Sequence, residues 1–127
     1  MNRIVLDTSA ILAFLDDEPG ADSVLQVMSS ACISTVNLAE AYSKLAERGE
    51  HGREALNVVR HSVHEVVPFT AQMAEITGSL RPLTRDFGLS PGDRACLALG
   101  ILLNTEVYTT DRIWAGLNLP CTIRIIR

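Results

Sequence analysis

Aromatic residues make up only 5% of this chain, lysine occurs once (Lys44), and the three cysteines, Cys32, Cys96 and Cys121, form no C-x-x-C pair. An odd number of scattered thiols excludes both a disulfide framework and a cysteine zinc site, so they read as reduced core thiols. Long apolar runs are missing too: the longest, Ala95 to Leu103, is about half of the roughly 20 residues that a bilayer-spanning helix requires. The N-terminal apolar run is broken by Asp7 and then by Asp16, Asp17 and Glu18, a pattern that no secretory signal tolerates, so a cytoplasmic protein is expected. Positive charge is not in excess, since 11 Lys and Arg stand against 15 Asp and Glu for a net charge of -4. A basic nucleic-acid-binding surface is therefore not evident from composition. If four of the acids were gathered around metal ions, however, the remaining charge would balance.

What is present suits one domain covering residues 1–127, because 47% of the residues are apolar and the length is that of a single ordinary core. Strand-like apolar runs alternate with helical stretches, which predicts an α/β fold: a three-layer α/β/α sandwich around a central, mainly parallel sheet. The predicted strands are Arg3–Leu6, Cys32–Ser34, Val63–Val67 (ended by Pro68), Glu106–Thr109 and Thr122–Ile126. Helical spacing covers Ala10–Leu15, Ala21–Ser29, Thr35–Arg48 (stopped by Gly49), Arg53–His61, a stretch after Thr70 through Leu80, Ala95–Leu103 and a short segment Asp111–Leu117. Glu18-Pro19-Gly20 separates the first two helices. Ser90-Pro91-Gly92-Asp93 carries an N-cap residue, proline at the first helical position and an acid at the third, and the apolar Ala95–Leu103 after it should be buried.

In an open parallel sheet, ligands bind beyond the carboxyl ends of the strands, where the strand order reverses. Asp7 directly follows the first predicted strand and Asp111 comes two residues after the fourth. Glu40 lies in the helix after the second, and Asp93 lies in the first turn of the buried helix. Such an all-oxygen set suits Mg²⁺ or Mn²⁺. Each acid also has an ordinary explanation. Asp7 and Asp111 fit turn or N-cap positions, and Asp93 fits a capping box with Ser90. Glu40 is spaced for an exposed ion pair with Lys44, on the side of its helix opposite the apolar Leu38, Ala39, Tyr42, Leu45 and Ala46.

The sequence words around these acids decide more than their spacing. Ile4-Val5-Leu6-Asp7-Thr8-Ser9-Ala10-Ile11-Leu12, Ser34-Thr35-Val36-Asn37-Leu38-Ala39-Glu40, Leu89-Ser90-Pro91-Gly92-Asp93-Arg94-Ala95-Cys96-Leu97-Ala98-Leu99 and Val107-Tyr108-Thr109-Thr110-Asp111-Arg112, in that order, resemble the four signatures of the PIN-domain ribonucleases. They are most similar to the small VapC-type toxins of bacterial toxin–antitoxin pairs. The resemblance spans nearly the whole chain; all four acids are present, and Pro91 and Gly92 vary a position that the family leaves loose. It implies a PIN-like fold, Asp7, Glu40, Asp93 and Asp111 as catalytic metal-binding acids of a Mg²⁺- or Mn²⁺-dependent endoribonuclease, and RNA hydrolysis leaving a 5′-phosphate and a 3′-hydroxyl. It also implies a homodimer and a cognate VapB-like antitoxin that covers the acid cleft.

Among neighbouring polar residues, Ser9, Asn37 and Thr109 are candidates to orient carboxylates or water, with turn capping as the alternative. Arg94 and Arg112 adjoin two of the acids and are candidates for phosphate, against plain surface charge. His61 and His64 read as surface residues, and Trp114 and Phe14 as packing. The polar helices between Thr35 and His61 and the apolar positions of the first helical stretch are candidate partner surfaces. A dinucleotide-dependent oxidoreductase is disfavoured because Asp7-Thr8-Ser9-Ala10 lacks the glycines of a pyrophosphate turn. Two readings compete with a nuclease: a non-catalytic RNA- or protein-binding module of the same fold, and a Mg²⁺-dependent phosphotransfer protein accepting at Asp7, for which Lys44 is the sole lysine.

Overall fold

A computed structural model describes residues 3–127. Five strands, β1 (Ile4–Leu6), β2 (Ala31–Ser34), β3 (Glu65–Val67), β4 (Glu106–Thr109) and β5 (Thr122–Ile125), form one sheet in the order β3-β2-β1-β4-β5. Every pairing is parallel. The chain winds outward from β1 through β2 to β3, then crosses back to β4 and on to β5. The strand order thus reverses between β1 and β4, and a crevice is expected at their carboxyl ends.

Side chains of a strand alternate between faces, and here the alternation divides the core in two. Ile4, Leu6, Ala31, Ile33 and Tyr108 pack under α1 (Thr8–Leu15), α2 (Ala21–Val27), α3 (Thr35–Ala46) and α4 (Glu50–Ser62). Val5, Cys32 and Val107 face the opposite layer of α5 (Ala71–Ser79) and α7 (Pro91–Leu103), joined by the short α6 (Arg81–Thr84). Helices cover both faces, as the α/β/α expectation required. The five residues Cys96–Gly100 of α7 are all buried, which explains a helix apolar nearly all round. Trp114 is wholly buried against this layer, Phe14 half-buried in the other. Cys32 and Cys96 are buried, Cys121 is half-buried, and all three are free thiols. His61 and His64 are exposed.

Some boundaries differ from the sequence expectation, and each has a local cause. The first helix starts at Thr8 rather than Ala10, because the Asp7 carbonyl already accepts from Ala10 and Ile11. The fourth begins at Glu50 rather than Arg53, and β3 covers only the last three residues of Val63–Val67. The segment after Asp111 is a 3-10 helix, Arg112–Gly116, not an α-helix. In α3 the inward residues are Asn37, Leu38, Ala41 and Leu45, while Ala39 and Ala46 face solvent. That corrects the apolar stripe expected there: Glu40 lies beside the buried Asn37 and Ala41 rather than opposite the core. As foreseen, Glu18-Pro19-Gly20 breaks the chain, with Gly20 at φ 103 immediately before α2. No helix among the described residues is long and apolar enough to cross a membrane.

Candidate active site

Asp7 ends β1 at the reversal point. Its backbone N–H donates to the Tyr108 carbonyl of β4 at 3.0 Å, which places it beside the end of that strand. The residue occupies the N-cap position of α1, yet its carboxylate makes no capping bond. Instead Asp7 Oδ2 accepts from Ser9 Oγ at 2.6 Å and from Thr109 Oγ1 at 2.9 Å. Only 4% of Asp7 is exposed. Burial is the main cause that lifts its pKa from 3.8 to about 6; the bonds from Ser9 and Thr109 oppose the rise, and the charge of Asp93 adds to it. Taking a carboxylate out of water in this way costs free energy unless its charge is paired.

Thr109, fully buried, links two of the acids. Its hydroxyl donates to Asp7 and accepts the backbone N–H of Asp111 at 3.1 Å. Ser9 Oγ lies 3.2 Å from the same hydroxyl and accepts from the Thr110 N–H at 3.0 Å, so the end of β4 is tied to the start of α1. Asp111 is half-buried and does cap: its Oδ1 accepts from Ile113 N at 3.1 Å.

Glu40 enters from α3. Its Oε1 accepts from Thr8 Oγ1 at 2.9 Å and from Asn37 Nδ2 at 3.1 Å. Asn37, fully buried, also donates to the Gly92 carbonyl of α7 at 3.1 Å, while its Oδ1 is left without a partner. No ion pair joins Glu40 to Lys44 among the described residues, and Lys44 is exposed. Asp93, half-buried in the first turn of α7, forms the complete capping box with Ser90: its Oδ2 accepts from Ser90 N at 2.9 Å, and its N–H donates to Ser90 Oγ at 3.1 Å. One carboxylate oxygen is thereby used in capping, and the charge still reaches Asp7.

The Cys96 thiol is buried one turn along α7 from Gly92 and Asp93. Burial first, then the charges of Asp7 and Asp93, with smaller effects from Cys121 and Glu40, push its pKa well above the usual thiol range. Glu40 packs against Gly92 at the start of α7, Asp93 follows that glycine in the same turn, and the Asp111 backbone is tied to Asp7 through the Thr109 hydroxyl. Among the described residues, no three His, Cys, Asp or Glu side chains are set to grip one ion together. The donor set is nonetheless all oxygen, as Mg²⁺ or Mn²⁺ prefers, and Mg²⁺ commonly keeps several waters and takes only one or two carboxylates directly.

Arg94 is half-buried next to Asp93, with its Nε enclosed and unpartnered. Arg112 is exposed and donates to the Arg127 carbonyl at 3.4 Å. Two residues of the site escaped the sequence reading. Thr8, which holds Glu40, had no signal beyond its place after Asp7. Gly92 had one, because glycine in a helical first turn forfeits helix stability unless something must come close.

The architecture is that of a parallel α/β protein with a buried, hydrogen-bonded carboxylate, Asp7, at its topological switch point. The family model described as PIN domain matches residues 4–118, and the chain belongs to that family. Among solved structures, the fold is similar to a chain of VapBC2 from Rickettsia felis bound to a DNA fragment from its promoter (TM-score 0.78, 17% identity, 95% of this chain and 96% of that one). It is also similar to DNA-bound VapBC from Salmonella typhimurium (TM-score 0.72, 21% identity, 98% of each chain). A third likeness is to VapBC-5 of Mycobacterium tuberculosis, a toxin–antitoxin system (TM-score 0.66, 24% identity, 100% of this chain and 99% of that one). A search of curated protein sequences returned no match.

Proposed function

We propose that this protein is a divalent-metal-dependent endoribonuclease and the toxin of a toxin–antitoxin pair. The observation that carries the reading is the buried Asp7 carboxylate, held by Ser9 and Thr109 at the end of β1 with Asp93 close enough to raise its pKa. Family membership supports the same reading. Asp7, Glu40, Asp93 and Asp111 are the residues that would hold Mg²⁺ or Mn²⁺. Bound there, the ion would supply Lewis-acid stabilisation of charge on the phosphoryl oxygens and lower the pKa of water.

The chain's own groups do the positioning. Ser9 and Thr109 fix the direction of the Asp7 carboxylate, and Thr8 and Asn37 fix that of Glu40, so the acids need little reorganisation when charge develops. Arg94, which follows Asp93 in α7, and the exposed Arg112, which follows Asp111, are assigned to the RNA phosphates. The similar solved structures are VapBC toxin–antitoxin complexes. We accordingly assign a VapB-like antitoxin as partner, a homodimeric toxin, and the cytoplasm as its place. A cationic antitoxin side chain would pair with the acids and exclude metal.

The test is cleavage of structured and single-stranded RNA by purified, antitoxin-free protein with Mg²⁺, Mn²⁺ or EDTA, beside Asp7→Asn and Asp93→Asn. Metal-dependent cutting that both variants lose is expected. A folded protein that binds RNA without cutting it would instead make this a non-catalytic module, and stable phosphorylation at Asp7 would make it a phosphotransfer protein.

A further inference from the structure

Gly92 occupies the second position of α7 with no positive φ, so its backbone conformation is open to any residue. Glycine there is unfavourable on helix propensity alone. The reason lies across the helix pair: a Cβ placed on Gly92 would fall 2.5 Å from Glu40 Cδ and closer still to both carboxylate oxygens. The Glu40 carboxylate lies in the space that the missing side chain leaves. The same Gly92 presents its carbonyl to Asn37 Nδ2, which also donates to Glu40 Oε1. One buried amide therefore ties the glycine to the acid it accommodates.

We propose that Gly92 is a positioning residue: its bare Cα lets the Glu40 carboxylate seat against the first turn of α7, beside Asp93, and so sets the spacing of two of the metal-binding acids. The inference rests on the metal-nuclease reading for its consequence, and on the contact alone for its geometry. A methyl group at position 92 meets the far end of a flexible side chain rather than backbone. The fold accommodates it by turning Glu40 out of its bonds with Thr8 and Asn37, and the site loses the acid's position. Gly78, in α5, supplies the control, because a Cβ there would meet nothing within 4 Å.

The experiment compares wild type, Gly92→Ala, Gly78→Ala, Glu40→Ala and the double variant Gly92→Ala/Glu40→Ala. Mn²⁺ affinity is measured by calorimetry, kcat and KM on RNA, and melting temperature in EDTA. Gly92→Ala should weaken Mn²⁺ binding about 10-fold or more, as loss of a ligand's support commonly does, and lower kcat more than it raises KM. Its melting temperature should not gain the increase that Gly78→Ala shows. In the Glu40→Ala background the clash is gone, so adding Gly92→Ala should raise the melting temperature and leave Mn²⁺ affinity unchanged. Gly92→Ala that keeps wild-type Mn²⁺ affinity and kcat, and raises the melting temperature equally in both backgrounds, overturns the proposal. If wild type itself neither binds Mn²⁺ nor cuts RNA, the nuclease reading falls, and the melting-temperature comparison still decides whether Gly92 makes room for Glu40.

Discussion

Removing the charge at Asp7 should stabilise the metal-free protein, although it abolishes the proposed activity. The carboxylate is 4% exposed, and its pKa rises on folding from 3.8 to about 6, with burial as the main cause. Between those values the folded chain binds more protons than the unfolded one, so stability falls as pH rises through the interval, and the loss is complete above it. Each tenfold change in proton affinity is worth about 1.4 kcal/mol, so the full penalty is about 3 kcal/mol at pH 8. Asn is nearly isosteric, and its side-chain oxygen still accepts from Ser9 and Thr109, so Asp7→Asn removes the charge and keeps the bonds. Urea unfolding in EDTA should show the variant more stable than wild type by up to about 3 kcal/mol at pH 8, with the difference fading to nothing below about pH 4. Saturating Mg²⁺ or Mn²⁺ should then narrow the gap by stabilising wild type alone, by about 2.7 kcal/mol at one hundred times the dissociation constant. A variant no more stable than wild type at pH 8 in EDTA, or an advantage independent of pH, would refute the argument that Asp7 is ionised against its surroundings.

The two other outcomes concern the frame around the acids. Ser90→Ala should lower stability by about 1 kcal/mol in urea unfolding, because Asp93 N–H loses its capping acceptor. The Asp93 carboxylate, still held by Ser90 N–H, should leave part of the metal affinity in place, and an unchanged urea midpoint would contradict the capping geometry. Thr109→Val, similar in shape, removes the hydroxyl that joins Asp7 to the Asp111 backbone and leaves a buried acceptor and donor short of a partner. It should destabilise by about 1–3 kcal/mol and raise the Asp7 pKa further, a change readable as an upward move of the carboxyl titration in NMR.

Much of this molecule is legible along the chain. The alternation of Ile4-Val5-Leu6 and Cys32-Ile33-Ser34 with helical stretches points to an α/β sandwich, because a strand buried on both faces is largely apolar and the helices between must cover it. The Ser90-to-Asp93 capping box is also local, since its bonds span three residues. Helix boundaries were less legible. Where α1 begins depends on the Asp7 carbonyl, and the stripe of α3 was misread because Ala39 and Ala46 are apolar by type and outward by position.

Tertiary structure alone decided what each acid does with its oxygens. By sequence, Asp7 fits an N-cap as well as a ligand; only the approach of β4 brings Thr109 to its carboxylate and turns it from the cap. Glu40 spaced with Lys44 looks like a surface pair until α3 packs on α7 and Gly92 leaves it room. Residue types and short-range bonds are written locally, and so the sequence by itself determined the layers, the caps and the identity of four candidate acids. How each acid's oxygens are bonded, and which small residue leaves Glu40 its room, depends on contacts between segments up to about a hundred residues apart, and only the packed sheet and helices decide those.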